Sequence, residues 1–315
     1  MQSYHLRLCV SRDPGNQVPV TRPDDYDAWQ PYLRRRYPDG CAVGGNPIPN
    51  RKANWWQNLP RAAWDWADGS WERRSQIVAR FEGFARSLLY YLHHDPAVPE
   101  AVRASARQWA LAADEFTDNR HLPTELYVRE ARRLVGRCVL TEHDCVPAPG
   151  RSRPPACADS IAFTEWFMDS HEVSEEAIDG CREGKIILTH KSRPGMVPYR
   201  CLLPREVDNL LVPVCLSATH VAWGQVRLEP TWMHVGESAG FAAAEAKARG
   251  VAVADIDVGA LQSRLLAAAV PIAYFNQLDR RPDTTAFERW QRAACAGDAL
   301  GYDQPTDQPH AAVHQ

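Results

Sequence analysis

A chain of 315 residues is long enough for about two domains, and its 45% hydrophobic content is that of an ordinary globular protein. Its 36 basic and 39 acidic residues give a net charge of -3, so no broad basic field attracts a phosphate backbone, and nucleic acid is not an expected partner. The nine cysteines contain no C-x-x-C pair, which argues against a zinc ribbon and a disulfide framework. No apolar stretch reaches the ~20 residues of a membrane span, so we expect a cytoplasmic protein with reduced thiols, no metal site and no membrane contact.

The first part of the chain predicts a strand, a long loop region and two helices. An alternating stretch at residues 4–10 indicates the strand, and the Pro, Asn, Gly and Asp that follow up to residue 60 indicate the loop region. From Trp71 to Leu92 the apolar residues recur at helical spacing, and Asp95-Pro96 ends that helix. Pro99 opens a second helix that ends near residue 114.

The middle of the chain predicts a mixed sheet. Residues 134–140 alternate in a way that favours a strand buried on both faces, after which Thr141 caps a short turn. Short strands are predicted at residues 187–188 and 199–203, and a further buried strand at residues 210–216.

Small residues dominate the helix that follows Pro230. Its interior includes Gly236 and Gly240, four residues apart, and this spacing lets another backbone or a planar cofactor approach closely. The same spacing also occurs where a helix only packs against a strand. Another helix is predicted at residues 260–269.

The run from residue 199 to residue 250 resembles the C-terminal flavin-contacting segment of FAD-dependent oxidoreductases. It contains, in the family's order, NLLV, SATH, an R-x-x-P turn and a G-x-x-A-G-x-A-A-A helix. Earlier pieces agree with this resemblance, among them DEFTDN, LYVREARRLVGRCVLTEHD and MDSHEV. The resemblance extends from about residue 2 to about residue 270.

This resemblance implies an α/β (mixed α+β) fold that binds FAD. A substrate domain is joined to the C-terminal strand and helix of a glutathione-reductase-type FAD-binding fold. The implied segments are a strand and loop region at 1–60, a helical and mixed-sheet substrate domain at 61–198, the FAD-contacting segment at 199–275, and a partly disordered extension at 276–315. The implied cofactor contacts are Ser217, Ala218, Thr219, His220, Arg227, Glu229, Thr231, Gly236 and Gly240.

One departure from the family pattern concerns the pyrophosphate. The family holds it on a G-x-G-x-x-G turn at a helix N-terminus, and this sequence has no such motif. The close pair Gly44 and Gly45 lies in a proline-rich loop. We therefore expect a truncated enzyme, which needs a separate N-terminal Rossmann half or associates with itself.

Three residues are candidates for catalysis, if the reaction is hydride transfer from a CH–OH group to flavin. His171 and His220 are the best general bases, because a histidine near neutral pKa can take a hydroxyl proton; His171 is preferred, since His220 can contact the flavin itself. Arg129, in a cluster with Arg132 and Arg133, can anchor an anionic substrate, although such a cluster also forms salt-bridge networks.

Five tryptophans, Trp55, Trp56, Trp64, Trp66 and Trp71, crowd within seventeen residues. Indoles stack on sugar faces, and they also fill cores, so sugar or polyol derivatives are a guess at the substrate. Two alternatives to the enzyme remain open: a non-catalytic glycan-binding protein that uses these tryptophans, and an inactive fragment without bound flavin.

Overall fold

The computed structural model describes residues 1–41, 58–151, 153–178, 181–274 and 285–297. Within these ranges the chain is a mixture of helices and small two-stranded antiparallel sheets, which confirms the predicted mixed α/β class. The helices are α1 (Tyr26–Arg36), α2 (Trp71–His94), α3 (Glu100–Ala106), α4 (His220–Val226), α5 (Glu229–Arg249), α6 (Val258–Ala267) and α7 (Thr285–Ala296). The strands are β1 (Val10–Ser11), β2 (Ala110–Leu111), β3 (Ser160–Thr164), β4 (Asp169–Ser170), β5 (Ala177–Ile178), β6 (Cys181–Arg182), β7 (Ile186–Ile187) and β8 (Gly195–Pro198).

The chain divides into two compact units. The first is Met1–Arg129 with Val173–Glu175, and the second contains the described residues of Glu130–Glu172 and Glu176–Gln315. The division into four segments made from the sequence stays a prediction. Over the described ranges, every helix is too short or too polar to cross a membrane.

Helix α2 is the centre of the first unit, and its prediction is confirmed. The Ser70 hydroxyl accepts a hydrogen bond from the Arg73 amide and so caps the N-terminus, and the helix ends before Asp95. Its inward face is almost fully buried, as the helical spacing predicts, and consists of Ile77, Phe81, Phe84, Leu88 and Leu92.

Helix α1 lies within the region predicted as loop, and that prediction is wrong. Tyr26, Gln30 and Arg34, on one face of α1, all donate to the carboxylate of Asp95, at 2.9, 2.7 and 3.2 Å respectively. Because these contacts join residues 61 to 69 positions apart, local sequence gave no sign of them.

The second predicted helix is shorter than expected, because α3 stops at Ala106. Residues 110 and 111 instead form β2, in which Leu111 pairs with Val10 of β1. The strand predicted at 4–10 is accordingly present only in parts, as β1 and as single bridges from Tyr4 and His5.

In the second unit, helix α5 packs on the two-stranded sheet of β3 and β8. The Ser238 hydroxyl donates to the backbone oxygen of Ile161 in β3 at 2.7 Å. The buried face of α5 is Thr231, Val235, Ser238, Ala239, Ala242, Glu245 and Ala246. Helices α5 and α6 confirm the two helices predicted after Pro230 and near residue 260.

Three predicted strands of this unit are wrong. Residues 199–203 begin a 3-10 turn, Tyr199–Leu202, directly after Pro198 ends β8. Residues 134–140 form only isolated bridges, and they bury one face, since Gly136 and Leu140 are buried while Val135 and Val139 are 65% and 40% exposed.

The third is the apolar run at residues 210–216, where only isolated backbone bonds form, such as that from the Val212 amide to the oxygen of Leu202. Leu210 and Val214 are exposed and Leu216 is buried. A continuous ladder needs a neighbouring strand along its whole length, and Pro213 lacks the N–H that such a ladder uses. The short turn predicted after Thr141 is confirmed as Glu142–Asp144, with a capping box between Thr141 and Asp144.

Candidate functional site

The SATH loop ends where α4 begins, and this fixes the position of His220. The Thr219 hydroxyl accepts from the Ala222 amide at 3.2 Å, the usual N-cap bond, so His220 is the first residue of the helix. Ser217 and Ala218 hold the loop in place: the Ser217 hydroxyl accepts from the Gly136 amide at 3.1 Å, and Ala218 bridges Leu140. These three predicted cofactor contacts therefore have structural hydrogen bonds of their own.

His220 lies between a carboxylate and a hydroxyl. Its Nδ1 is 3.0 and 2.9 Å from the two carboxylate oxygens of Glu130, and its Nε2 is 3.4 Å from Ser170 Oγ. Glu130 is only 2% exposed and also pairs with Arg133, whereas the His220 side chain is 30% exposed. The arrangement is a carboxylate-oriented imidazole whose second nitrogen faces the buried Ser170 hydroxyl.

Burial lowers the pKa of His220 below the usual histidine value, and the charge of Arg133 acts in the same direction. A hydrogen bond with the backbone of Gly184 opposes this effect. The net lowering favours a neutral ring near pH 7, which is the state that can accept a proton.

The second predicted histidine, His171, follows directly after strand β4. His171 Nε2 is 3.8 Å from Asp169 Oδ2, and that same oxygen accepts from Arg227 at 3.0 Å. Arg227 is buried and also donates to the backbone oxygen of Asp169 at 3.1 Å. This predicted cofactor contact thus ties β4 to the end of α4.

Gly224 explains how β4 comes so close to α4. A Cβ atom added there would lie 2.9 Å from the backbone nitrogen of Asp169 and 3.1 Å from its carbonyl carbon. Only glycine permits this approach without displacement. The close packing brings Ser170 within reach of His220, so Gly224 is part of the architecture of the site.

The N-terminus of α5 follows Arg227 directly. Leu228 precedes the helix without a side-chain cap, and Glu229, at the first position, is exposed. Thr231 is buried, and the indole nitrogen of Trp232 is buried without a hydrogen-bond partner among the described residues.

The two glycines of α5 lie away from β3. Nothing among the described residues lies within 4 Å of a Cβ added at Gly236 or Gly240. Small residues on the other face of the helix, among them Ser238 and Ala242, make the strand contact instead.

Arg129 belongs to the first unit, where its side chain is buried. It donates to the backbone oxygen of Ser3 at 2.5 Å and is 2.6 Å from His5 Nδ1, and its guanidinium lies 5.2 Å from the centre of the Tyr127 ring. These contacts are structural, and its role as a substrate anchor stays a prediction.

The tryptophan cluster is also in the first unit as far as it is described; Trp55 and Trp56 lie outside the described residues. Trp66 packs edge-on against Tyr4, whereas Trp64 and Trp71 are 46% and 80% exposed. The Trp64 indole donates to the oxygen of Val173 at 3.1 Å.

In the described parts of the chain, no group of three or more His, Cys, Asp or Glu side chains could hold a metal ion. Eight cysteines of these parts are free thiols: Cys9, Cys41, Cys138, Cys145, Cys157, Cys201, Cys215 and Cys295. Burial raises the pKa of Cys295 to about 11, which makes it a poor nucleophile.

Glu130, Asp169 and Ser170 are the site residues that the sequence prediction missed. Glu130 stands inside the arginine cluster, and the other two stand inside the MDSHEV motif. Glu130 and His220 are 90 residues apart in the sequence, so their contact could not be predicted from local spacing.

The sequence profile of the family described as FAD dependent oxidoreductase matches residues 1–265. The chain belongs to this family. Its cofactor is FAD and its general function is flavin-dependent oxidoreduction. Searches of curated proteins and of solved structures found no match.

The described residues fit one end of FAD. The first turn of α5 has no side-chain cap, and the buried Trp232 indole nitrogen has no hydrogen-bond partner among the described residues, so both carry donors of the kind that the oxygen and nitrogen edge of a flavin ring accepts. For the pyrophosphate the sequence offers no glycine-rich turn before a helix. The fit is therefore to the ring end and not to the phosphate end.

Proposed function

We propose that this chain supplies the substrate part and the flavin-ring side of an FAD-dependent oxidoreductase that oxidises a CH–OH group, with a sugar or polyol derivative as the substrate class. The observation that carries the proposal is the contact of His220 with Ser170, the residue before His171, in the unit that also contains the uncapped start of α5. Two candidate proton acceptors thus lie in the unit that has the flavin-ring donors.

FAD and the chain have different parts in the proposed reaction. FAD, when bound, supplies the two-electron acceptor that takes hydride from the substrate carbon. The chain supplies an acceptor for the hydroxyl proton, and a neutral imidazole whose pKa is lowered by burial is suited to that task near pH 7. Thr231 and the α5 amides orient the ring.

We further propose that a segment outside these 315 residues, either a Rossmann half or a second polypeptide, binds the pyrophosphate. Two surfaces of the second unit support this. Val135, Leu210 and Val214 are exposed apolar residues, and Gly236 and Gly240 present an open helix face. Parallel sheets of Rossmann type are covered by helices on both faces, so the open face of α5 suits such a cover. The exposed valines and leucine add apolar surface that a partner can bury. Self-association through the same surfaces is the alternative, and a cytoplasmic location is part of the proposal.

A comparison of three flavins tests the cofactor site. FAD, FMN and riboflavin share the ring and differ in their phosphate and adenine parts. If the chain holds only the ring, its Kd values for the three should agree within about tenfold, or ~1.4 kcal/mol. Fluorescence titration of the purified chain gives these values. Much tighter binding of FAD, together with a stoichiometric flavin spectrum after desalting, would show that the chain binds the pyrophosphate by itself.

Co-expression with a polypeptide that carries the G-x-G-x-x-G motif tests the proposal that another segment binds the pyrophosphate. We expect the affinity for FAD to rise at least about 100-fold, since the phosphate contacts are then joined to the ring contacts. In that complex Gly240→Leu should abolish FAD retention, and Lys247→Leu on the same helix is the matched control. Unchanged FAD content in Gly240→Leu would overturn the placement of α5.

Anaerobic mixing of the FAD-loaded complex with glucose, sorbitol and glycerol tests the reaction. Bleaching of the visible flavin absorbance by any of them supports the CH–OH class, and Arg129→Ala reports on the predicted anchor when acidic sugars are used. If no alcohol in a wider panel reduces the flavin while dithionite does, the proposed substrate class is wrong.

The glycan-binding alternative rests on a separate observation, the exposure of Trp64 and Trp71 in the first unit. Exposed indoles offer the flat apolar faces on which sugar rings stack. Glycan-array binding that Trp71→Ala removes, in a chain that never takes up flavin, would favour this alternative. The inactive-fragment alternative predicts neither glycan binding nor flavin uptake.

A further inference from the structure

We propose that Cys138 and Cys201 form a dithiol site that hydroperoxides oxidise to an intramolecular disulfide. Both residues belong to the second unit, and the proposal is independent of the flavin site and of the proposed substrate class. Three observations carry it: the contact between the two thiols, the backbone bonds that hold their segments together, and the difference in exposure between the two side chains.

The two thiols are in contact although their segments are far apart in the sequence. The Cys201 thiol is hydrogen-bonded to the sulfur of Cys138. A disulfide needs two cysteines whose side chains already point toward each other, because the S–S bond has a fixed length and a preferred torsion. A pair of thiols in hydrogen-bond contact meets this condition.

Backbone hydrogen bonds hold the segment of Cys138 against that of Cys201. The Arg137 amide donates to the oxygen of Leu203 at 3.0 Å. The residues two places before and two places after Cys138 both donate their amides to Ser217, and the Ser217 amide donates to the oxygen of Cys201 at 2.9 Å. Because these bonds join residues directly beside both cysteines, the fold itself brings the two thiols together.

The two side chains differ in exposure. Cys138 is partly exposed, and the neighbouring Val139 is exposed, whereas Cys201 is fully buried. A small peroxide therefore reaches Cys138 first. Burial raises the pKa of the Cys201 thiol, so this thiol stays protonated near pH 7 and takes part only in the second step.

The reaction with hydrogen peroxide has two steps. In the first, the Cys138 thiolate attacks one peroxide oxygen: an S–O bond forms, the O–O bond breaks, and hydroxide leaves and is protonated to water, which gives a sulfenic acid. In the second, the Cys201 sulfur attacks the sulfur of Cys138: the S–S bond forms, the S–O bond breaks, and the departing hydroxide takes the Cys201 proton as water. The two thiols together lose two protons and two electrons, and the peroxide is reduced to two molecules of water.

Other thiols of the second unit provide the comparison. Cys157 and Cys295 interact through their charges and are an alternative pair, but the Cys157 thiol donates to the carboxylate of Asp159 at 3.4 Å. Burial raises the pKa of both of these thiols. Cys215 is exposed and reports on unspecific oxidation. We therefore expect the link between Cys138 and Cys201 to form first.

The test uses the purified, reduced 315-residue chain, treated in its folded state with a small excess of hydrogen peroxide. The remaining thiols are alkylated, and mass spectrometry of non-reduced peptides locates the links. We expect the chain to lose the mass of two hydrogen atoms, the peptides of Cys138 and Cys201 to be joined before any other pair, and dithiothreitol to reverse the change. In urea the yield of this link should fall on the order of tenfold or more, because unfolding removes the proximity of the two sulfurs.

Four variants test the order of the steps. Cys201→Ser should abolish the link and leave Cys138 as a sulfenic acid that dimedone captures. Cys138→Ser should abolish both the link and the capture. Cys215→Ser and Cys157→Ser are the matched controls, and they should leave the link unchanged. Circular dichroism before and after oxidation establishes that each chain is folded.

Three results would overturn the proposal. The first is a first link between any other two cysteines, and the second is conversion of Cys138 to a sulfinic acid without a link to Cys201. Both are read from the unaltered chain, so they decide the question even if a variant fails to fold. The third is a folded Cys201→Ser chain in which dimedone captures another cysteine in place of Cys138.

Discussion

The same substitution, glycine to alanine, should have opposite effects at two helical positions of the second unit. At Gly240 the added methyl meets nothing among the described residues, so Gly240→Ala should stabilise the chain by about 0.5–1 kcal/mol through the lower entropy of the unfolded state. At Gly224 the methyl would lie 2.9 Å from the backbone of Asp169. Normal contacts between such atoms are about 3.5–4 Å, so strand β4 must move by roughly half an ångström or more.

The change in the free energy of unfolding caused by Gly224→Ala is the balance of two effects. Overpacking costs about 1–3 kcal/mol, and the gain in helix propensity offsets about 0.5–1 kcal/mol of it, which leaves a net loss of about 1–2 kcal/mol. The displacement also separates Ser170 from His220, whose contact at 3.4 Å is already long. Gly224→Ala should therefore change the NMR environment of His220, while Gly240→Ala should not.

Urea denaturation followed by tryptophan fluorescence measures both variants, because Trp223 and Trp232 belong to the same unit as the two glycines. The midpoints should fall on opposite sides of that of the unaltered chain, with unchanged slopes. A Gly224→Ala variant as stable as Gly240→Ala would refute the packing of β4 on α4 and, with it, the origin of the Ser170–His220 contact.

Three further changes test the electrostatics. Arg227→Met leaves the Asp169 carboxylate without its buried partner and should cost about 3 kcal/mol in urea denaturation, with Arg227→Lys as the milder control. Asp95→Ala removes the acceptor shared by three side chains of α1, and hydrogen exchange should report faster opening of that helix, by roughly 100-fold or about 3 kcal/mol. Burial lowers the pKa of His93 from 6.5 to about 4. Between these two values the unfolded chain binds more protons than the folded chain, so stability should fall as the pH drops through this window. The urea midpoints at pH 7 and pH 4.5 should therefore differ less in His93→Leu than in the unaltered chain.

Local signals allowed several elements to be predicted from the sequence. Helix α2 follows a serine cap and carries an apolar face at helical spacing. Helix α5 has Pro230 in its first turn and ends before Gly250, which adopts the left-handed conformation that favours glycine. The Thr141 turn likewise has both of its capping partners within four residues. In each case the physical cause of the element lies inside the element.

Elements whose cause lies elsewhere in the chain were not predictable in this way. Helix α1 depends on Asp95, and the apolar runs at residues 134–140 and 210–216 have strand composition without neighbouring strands along their length. The candidate site is similar. His220 could be chosen for its residue type, but the carboxylate that orients it is contributed by a segment 90 residues away.

One face of helix α5 is explained by the unit that contains it, and the other face is not. Its inner face is explained by the second unit itself, since Ser238 bonds to β3 and Ala239 and Ala242 are buried. Its outer face is not, because Gly236 and Gly240 lower helix stability by about 1 kcal/mol each relative to alanine, and a Cβ added at either would meet nothing among the described residues. Folding of the second unit alone gives these two glycines no role among the described residues. Their presence is explained if another segment or the cofactor lies against that face in the working enzyme, which is why Gly240→Leu separates the stability of this chain from its ability to hold FAD.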